Sequence, residues 1–363
     1  GHNAGNGEKT LWRRGPLNLT STRYAFLSAY LKGEEARGVQ GDHLTVVVQR
    51  ANTPQDALES IRDTDVGEAL REEPWKTFPE VEERLWKSLA ARLDRIRRFS
   101  LPRGIGEMLR VFLQRFDLLN VKLALRAVHG EKSFTPVPVG SLRDEGLTEE
   151  LSRVKSIAEL AALLRAAGLG EYADLLAEIR ELDERVILDM ERVLDRSYNE
   201  KWMKTLRGMD EGVLLARVQG IFIDYENLRT AFRLVTGGTG AVAEGVFLKG
   251  GHLLDEGTLR EFLSLAPGEI VARLAGTEYE YAAQDLARGF EKGKSFGIID
   301  QTLNRNLYRT VRQLLAPRVM SPCALLWYLI VKEQEIRNLR MIFRVLHDGV
   351  PLGEIRDFMV VAA

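Results

Sequence analysis

Three segments of this chain repeat one pattern on an apolar helical background: an acidic residue, Asn at plus three, a basic residue at plus five and Arg at plus nine. The copies read Asp117, Asn120, Lys122, Arg126; then Asp224, Asn227, Arg229, Arg233; then Glu335, Asn338, Arg340, Arg344. They start 107 and 111 residues apart, a period too long for a solenoid unit of roughly 20 to 50 residues. Each copy is therefore expected to belong to a small helical bundle in its own right, and three bundles in one chain imply pseudo-symmetry.

Wound onto a helix at about 100° per residue, the pattern places apolar residues at plus one, four, eight and eleven. These are Leu118, Val121, Leu125 and Val128; Tyr225, Leu228, Phe232 and Val235; Ile336, Leu339, Phe343 and Leu346. They span an arc of roughly 80°, an ordinary core-facing stripe. The acid falls at the edge of that arc, the Asn about 60° outside it, and the basic residues on the far side. An acid so placed, near the expected start of its helix, is stabilised by the helix N-terminus or by a neighbouring donor. Two roles fit Asp117, Asp224 and Glu335 with their Asn partners: tying helices together, or touching a partner protein. Lys122, Arg126, Arg229, Arg233, Arg340 and Arg344 are available for salt bridges, for a partner surface, or simply as a solvated basic face.

The repeat extends upstream. About 61 to 66 residues before each acid, Asp56, Glu159 and Glu269 sit in weaker segments that read as two short helices around a Gly or Thr break. Thr53 with Pro54 and Asp56, Ser156 with Glu159, and Pro267 with Glu269 supply helix-start chemistry. A longer amphipathic run comes after each, so every unit reads as helical throughout. Breakers at 135–140 and 237–251 separate the units, giving an arm at 1–19 and repeats at 20–138, 139–248 and 249–363. Spacers this short argue for one rigid body. The runs 45–48 (TVVV) and 246–248 (VFL) are expected as brief extended pieces, too small to build a sheet.

At 45% hydrophobic and 363 residues the chain can bury a large core, and a net charge of −1 offers nucleic acid no overall attraction. The longest apolar stretch, 324–331, is far short of the roughly 20 residues of a membrane span. Cys323, the one cysteine, reads as a buried thiol, which leaves no disulfide and suits a reducing compartment. No signal peptide is expected, and Gly1 and His2 read as an expression scar. His2, His43, His129, His252 and His347 show no ligand spacing, so neither metal nor cofactor is expected. His129 and His347 fall at corresponding helix ends, where an imidazolium complements the dipole.

Three catalytic motifs are nearly complete. Gly289, Gly293, Lys294 and Ser295 resemble a phosphate loop with one residue too few between the glycines. Gly293, Ser295 and Gly297 satisfy GxSxG, with Asp300 and His347 coming later in hydrolase order. A nucleophile elbow, however, needs a buried strand before the serine, and a polar helical stretch precedes it here. Gly238, Gly240 and Ala243 form a weak dinucleotide fingerprint better read as a helix stop. A serine hydrolase using Ser295 and a generic helical-repeat scaffold are thus two functions open to such a chain.

The thrice-repeated helix, the segment DYENLRTAFRLVTGG with VFLKGGHLLD after it, and the ending KEQEIRNLRMIFRVLHDGVP resemble the C subunit of archaeal and bacterial rotary A/V-type ATPases, counterpart of the V-type d subunit. The resemblance runs from about Arg23 to Phe358. It implies an all-α, three-lobed funnel with a central cavity and no active site. It further implies a place on the cytoplasmic face of the membrane, between the proteolipid ring and the foot of the central stalk, transmitting torque for ion transport. Breaks at Gly168 and Gly170 would then let lobes tilt.

Overall fold

A computed structural model describes residues 23–130, 133–237, 245–292 and 295–360. Four short helices open the chain, α1 (Ala25–Ala36), α2 (Gly41–Arg50), α3 (Pro54–Ser60) and α4 (Asp65–Arg71), and the long α5 (Phe78–Arg97) and α6 (Ile105–Gly130) come next. The order then repeats. Short α7 (Ser141–Asp144), α8 (Thr148–Ser152), α9 (Ile157–Ala166) and α10 (Gly170–Leu176) lead into long α11 (Glu184–Arg207) and α12 (Gly212–Gly237). A third set comprises α13 (Glu256–Phe262), α14 (Pro267–Leu274), α15 (Glu280–Lys292), long α16 (Phe296–Leu315) and α17 (Pro322–His347), before two 3-10 turns at Leu352–Glu354 and Arg356–Phe358. The described residues contain no strand, so the protein is all-α.

Helix starts obey local chemistry. Thr53 Oγ1 accepts from the Asp56 amide while the Asp56 carboxylate accepts from the Thr53 amide at 2.9 Å, a reciprocal cap that satisfies two otherwise orphaned donors. Ser156, Asp183, Asp255 and Ser321 cap α9, α11, α13 and α17 in the same sense. The segment 45–48, expected to be extended, is instead the middle of α2. The Gln40 backbone amide, donating to His43 Nδ1 at 3.0 Å, marks the start of that helix, and full burial of Val47 outweighs the modest helix penalty of β-branched residues. The third long run also divides, with Ser295 starting α16 afresh. Residues 246–248 are non-helical.

The signature helices α6, α12 and α17 are each 26 residues long, with the acid near the middle. Each packs along the long helix of the next set: α6 on α11, and α12 on α16. The third, α17, packs onto α5, with α1 and α3 also against it. Of the twelve stripe residues only Val128 and Val235 escape full burial. Two apolar cores result. The larger takes in α1 to α5, the first half of α6 and the elements from α12 onward; the smaller joins Leu118 to Leu125 of α6 to α9, α10 and Leu194 of α11.

Candidate functional site

Each signature Asn makes the same pair of bonds. Asn120 Nδ2 donates to the Val137 carbonyl at 2.9 Å and its Oδ1 accepts the Val137 amide at 2.7 Å. Asn227 holds Leu248 at 2.9 and 2.8 Å, and Asn338 holds Val360 at 2.7 and 3.3 Å. An amide side chain can satisfy one donor and one acceptor of a single extended residue at once, so each Asn clasps a passing backbone to its helix.

The acids clasp one turn earlier. Asp117 accepts the Ser141 and Leu142 amides at 2.9 and 3.0 Å. Asp224 accepts the Leu253 amide at 2.7 Å, the Leu254 amide, and the Tyr279 hydroxyl at 2.6 Å. Glu335 accepts the Val39 amide at 3.0 Å and the Lys332 ammonium at 2.8 Å. A glycine lies against each acid: a Cβ on Gly140 would stand 2.4 Å from Asp117 Oδ1, one on Gly251 2.1 Å from Asp224 Oδ1, and one on Gly38 3.3 Å from Glu335 Oε2. In the first two copies the clasped backbone lies downstream of the acid. In the third it comes from the beginning of the chain.

The position of the acids differs from the helical-wheel expectation. They lie far from their own helix starts and are fully buried, because the clasped loops cover the arc that a single helix leaves open. The helix N-terminus that receives Asp117 belongs to α7. Burial, only partly offset by the Leu142 and Ser141 amides, pushes Asp117 up to about 7 and raises Asp224 despite Tyr279 and its backbone donors. Burial acts on Glu335 too, but Arg92 and Lys332 outweigh it and hold its carboxyl below the usual range. Arg92 reaches Asp65 at 2.7 Å and Glu335 at 3.6 Å, with all four charged side chains nearly inaccessible.

Each basic residue, buried or exposed, reaches a partner on the facing long helix. Lys122 meets Asp195 at 2.5 Å and Arg126 meets Glu191 through two bonds of 2.7 and 2.8 Å, both on α11. Arg229 meets Asp300, and Arg233 lies 4.6 Å over the Phe296 ring, both on α16. Arg340 meets Glu82, and Arg344 lies 5.2 Å over Phe78, both on α5. In every copy the two partners are four residues apart on the facing helix. Glu82, Asp195 and Asp300 are the functional partners that sequence reasoning missed; their signal is an acid at the fifth residue of both α5 and α16.

All three signature helices also border one cavity of about 670 Å³. Arg115, Leu119 and Lys122 of α6, Phe222 and Glu226 of α12, and Glu333, Arg337 and Arg340 of α17 face it. At its wall Glu333 bonds Arg115 at 2.9 Å and Arg337 at 2.7 Å; those guanidiniums overcome the effect of burial and lower its pKa. Trp86, Phe116, Phe112 and Trp202 form an unbroken file of ring contacts from α5 through α6 to α11. The helices start together. Glu211 pairs with Arg318 at 3.2 Å, Tyr24 donates to Asp210 at 2.7 Å, Ser28 donates to the Val319 carbonyl, and Phe26 packs on Phe99 at 5.1 Å. The loops before α6, α12 and α17 therefore meet at one end of the molecule.

The near-catalytic motifs have structural roles. Ser295 Oγ accepts the Ile298 amide to cap α16, Asp300 is engaged by Arg229, His347 sits 3.5 Å from Asp348 at the end of α17, and Gly289 lies within α15. Gly293, Lys294, Gly238, Gly240, Ala243 and the arm 1–19 lie outside the described residues. Among the described residues no three His, Cys, Asp or Glu side chains form a group that could hold a metal ion. No helix among them is long and apolar enough to cross a membrane.

An all-helical chain with three equivalently clasped helices bordering one cavity has the build of a helical-repeat scaffold. The chain belongs to the ATP synthase (C/AC39) subunit family, whose model matches residues 48–358. It is similar to the C subunit of the A-type ATP synthase of Methanocaldococcus jannaschii, 26% identical over 351 residues that cover 93% of this chain and 86% of that protein. The same-named protein of Thermococcus onnurineus is 25% identical over 349 residues, covering 94% and 91%. That of Thermococcus kodakarensis is 24% identical over 353 residues, covering 96% and 93%. The protein is accordingly a rotary ATPase subunit.

Proposed function

We propose that this chain couples the central stalk of a rotary A/V-type ATPase to the membrane proteolipid ring, passing torque between them from the cytoplasmic face of the membrane. The observation that carries this reading is the cavity bordered by all three signature helices, with the starts of those helices pinned together at one end. Three lobes are assigned on this reading: α6 to α11, α12 to α16, and α17 with α1 to α5. Together they make a funnel whose cavity receives the stalk foot.

Torque transmission requires that the wall not yield, and the clasps, the α6–α11, α12–α16 and α17–α5 ion pairs and the ring file across the lobes supply that stiffness. The joined end presents Phe26, Val213, Val319 and Met320 as exposed apolar side chains, which suit the ring. A pull-down from detergent-solubilised membranes tests both contacts. Wild-type chain should capture a stalk protein and a ring protein together. Leu119→Asp, at an exposed cavity position, should lose the stalk alone, and Val319→Asp with Met320→Asp should lose the ring alone. Capture of neither by the wild type, or both variants retaining both, overturns the proposal.

A further inference from the structure

A second cavity of about 670 Å³ lies apart from the signature helices, between α16 and the final described residues of the chain. Arg305, Arg309 and Arg312 line it, with Tyr308, Pro317 and Met359 as its less polar surface, and no carboxylate among the described residues borders it. Successive spacings of four and three residues put the arginines on one stripe of α16 spanning about 10 Å. The nearest acid to engage the stripe is Asp285, 3.8 Å from Arg309; among the described residues no ion pair engages Arg305 or Arg312. Arg312 also borders a smaller neighbouring cavity containing Lys32 and Glu35.

The fold does not require arginine at these positions. With Asp300, Asp195 and Glu82 as equivalent anchors, α11 carries Glu200, Lys204 and Arg207 there and α5 carries Lys87, Ala91 and Asp94. Only α16 presents an all-arginine stripe. Guanidinium groups recognise phosphate oxygens through paired N–H donors, which lysine cannot reproduce. A volume of this size falls within the range of roughly 300 to 1,000 Å³ typical of small-molecule sites. We propose that this groove is a binding site for an anion carrying two or more adjacent phosphate groups, held by Arg305, Arg309 and Arg312. The same chemistry is offered by a free polyphosphate and by a multiply phosphorylated lipid headgroup.

Calorimetric titration of the full chain with inorganic triphosphate tests the site, alongside flotation with phosphatidylcholine vesicles with and without a bisphosphorylated phosphoinositide. Saturable triphosphate binding should weaken at least about tenfold in Arg305→Gln/Arg309→Gln/Arg312→Gln, equivalent to about 1.4 kcal/mol, and stay unchanged in Arg50→Gln/Arg180→Gln. Because the control pair is exposed and carries no ion pair among the described residues, it removes charge without touching the groove. Triphosphate binding without flotation identifies a soluble ligand; flotation lost in the triple variant identifies a lipid headgroup; either supports the site. Equal binding by the triple variant, no binding of either ligand, or equally tight binding of decaglutamate would overturn it. Arg→Lys at all three positions retains the charge, so it should retain less than half the affinity if the paired-donor geometry is correct and all of it if charge alone decides.

Discussion

Replacing Asn120 by Ala isolates one clasp. The substitution strips the Val137 amide of its acceptor at 2.7 Å and removes one of the two donors to the Val137 carbonyl, which keeps the Val139 amide at 2.9 Å, in a place where Asn120 is 1% and Val137 9% exposed. A buried polar group left without its partner costs about 1–3 kcal/mol, and the one group so left is the Val137 amide. Water entering the vacated space recovers part of this, which places the expected value at about 2 kcal/mol or less. Asn120→Asp is the sharper variant. It has the same shape and still accepts the Val137 amide, but it turns an oxygen toward the Val137 carbonyl and buries a charge, so it should cost at least as much at neutral pH. A chain of 363 residues need not unfold in one step, so amide exchange read at Val137 is the primary assay, with urea denaturation beside it. In Asn120→Ala the Val137 amide should lose its protection while the α6 amides keep theirs. Asn227→Ala should cost less, because Leu248 is only half-buried and water reaches the freed groups. Undiminished protection at Val137 with a loss below about 0.5 kcal/mol would refute the clasp as a stabilising device.

Gly251→Ala drives a Cβ to 2.1 Å from Asp224 Oδ1 and 2.7 Å from the Leu254 carbonyl, and should destabilise by about 2–4 kcal/mol. Gly268→Ala in α14, with nothing within 4 Å, should be neutral or stabilising by up to about 1 kcal/mol; equal thermal shifts for the two would contradict the close-approach argument. Asp117 titrates near 7 when folded against 3.8 for the ordinary carboxyl. Its protonated form therefore favours the fold, a contribution complete below about pH 4 and lost as pH rises through 7. The stability of the wild type relative to Asp117→Asn should fall across that window, and a flat difference by denaturation at pH 4, 6 and 8 excludes this. Arg92→Met leaves Asp65 and Glu335 buried with Lys332 as their remaining close cation, for an expected loss of about 3–5 kcal/mol. A melting temperature within 1 °C of wild type would show that the network carries no such weight.

The all-helical class was legible because apolar residues at plus one, four, eight and eleven fix a helical period, and because capping residues mark starts such as Thr53 and Ser156. The signature residues were legible as a set, but their contacts were not. Val137, Leu248 and Val360 take part through backbone atoms alone, so no side-chain type at those positions announces the contact. The burial of Asp117 and Asp224 depends on loops that arrive 24 to 30 residues later, beyond the reach of any single-helix wheel. Residues 45–48 misled for the opposite reason: four β-branched residues state a local preference that the Gln40–His43 bond at the helix start and a buried Val47 override. The cavity itself came only through the family resemblance, since no local pattern encodes three distant helices sharing a wall.

The third copy is clasped differently from the other two. In the first and second, one downstream stretch supplies both halves of the clasp, Val137 to Asn120 and then Ser141 to Asp117, or Leu248 to Asn227 and then Leu253 to Asp224. The third copy draws instead on two separate stretches. Val360, near the end, fills the Asn half and Val39, near the beginning, fills the acid half. Val39 and Val360 thus lie one helical turn apart on α17, which packs its long axis against α5. This closing contact is the one least supported by chain connectivity, and it is the one that carries both Arg92 and Lys332 on the acid. A clasp within one continuous segment loses little entropy on forming, whereas joining segments 296 residues apart costs more. Two buried cations at that one clasp are the compensation expected when a linear chain must close on itself.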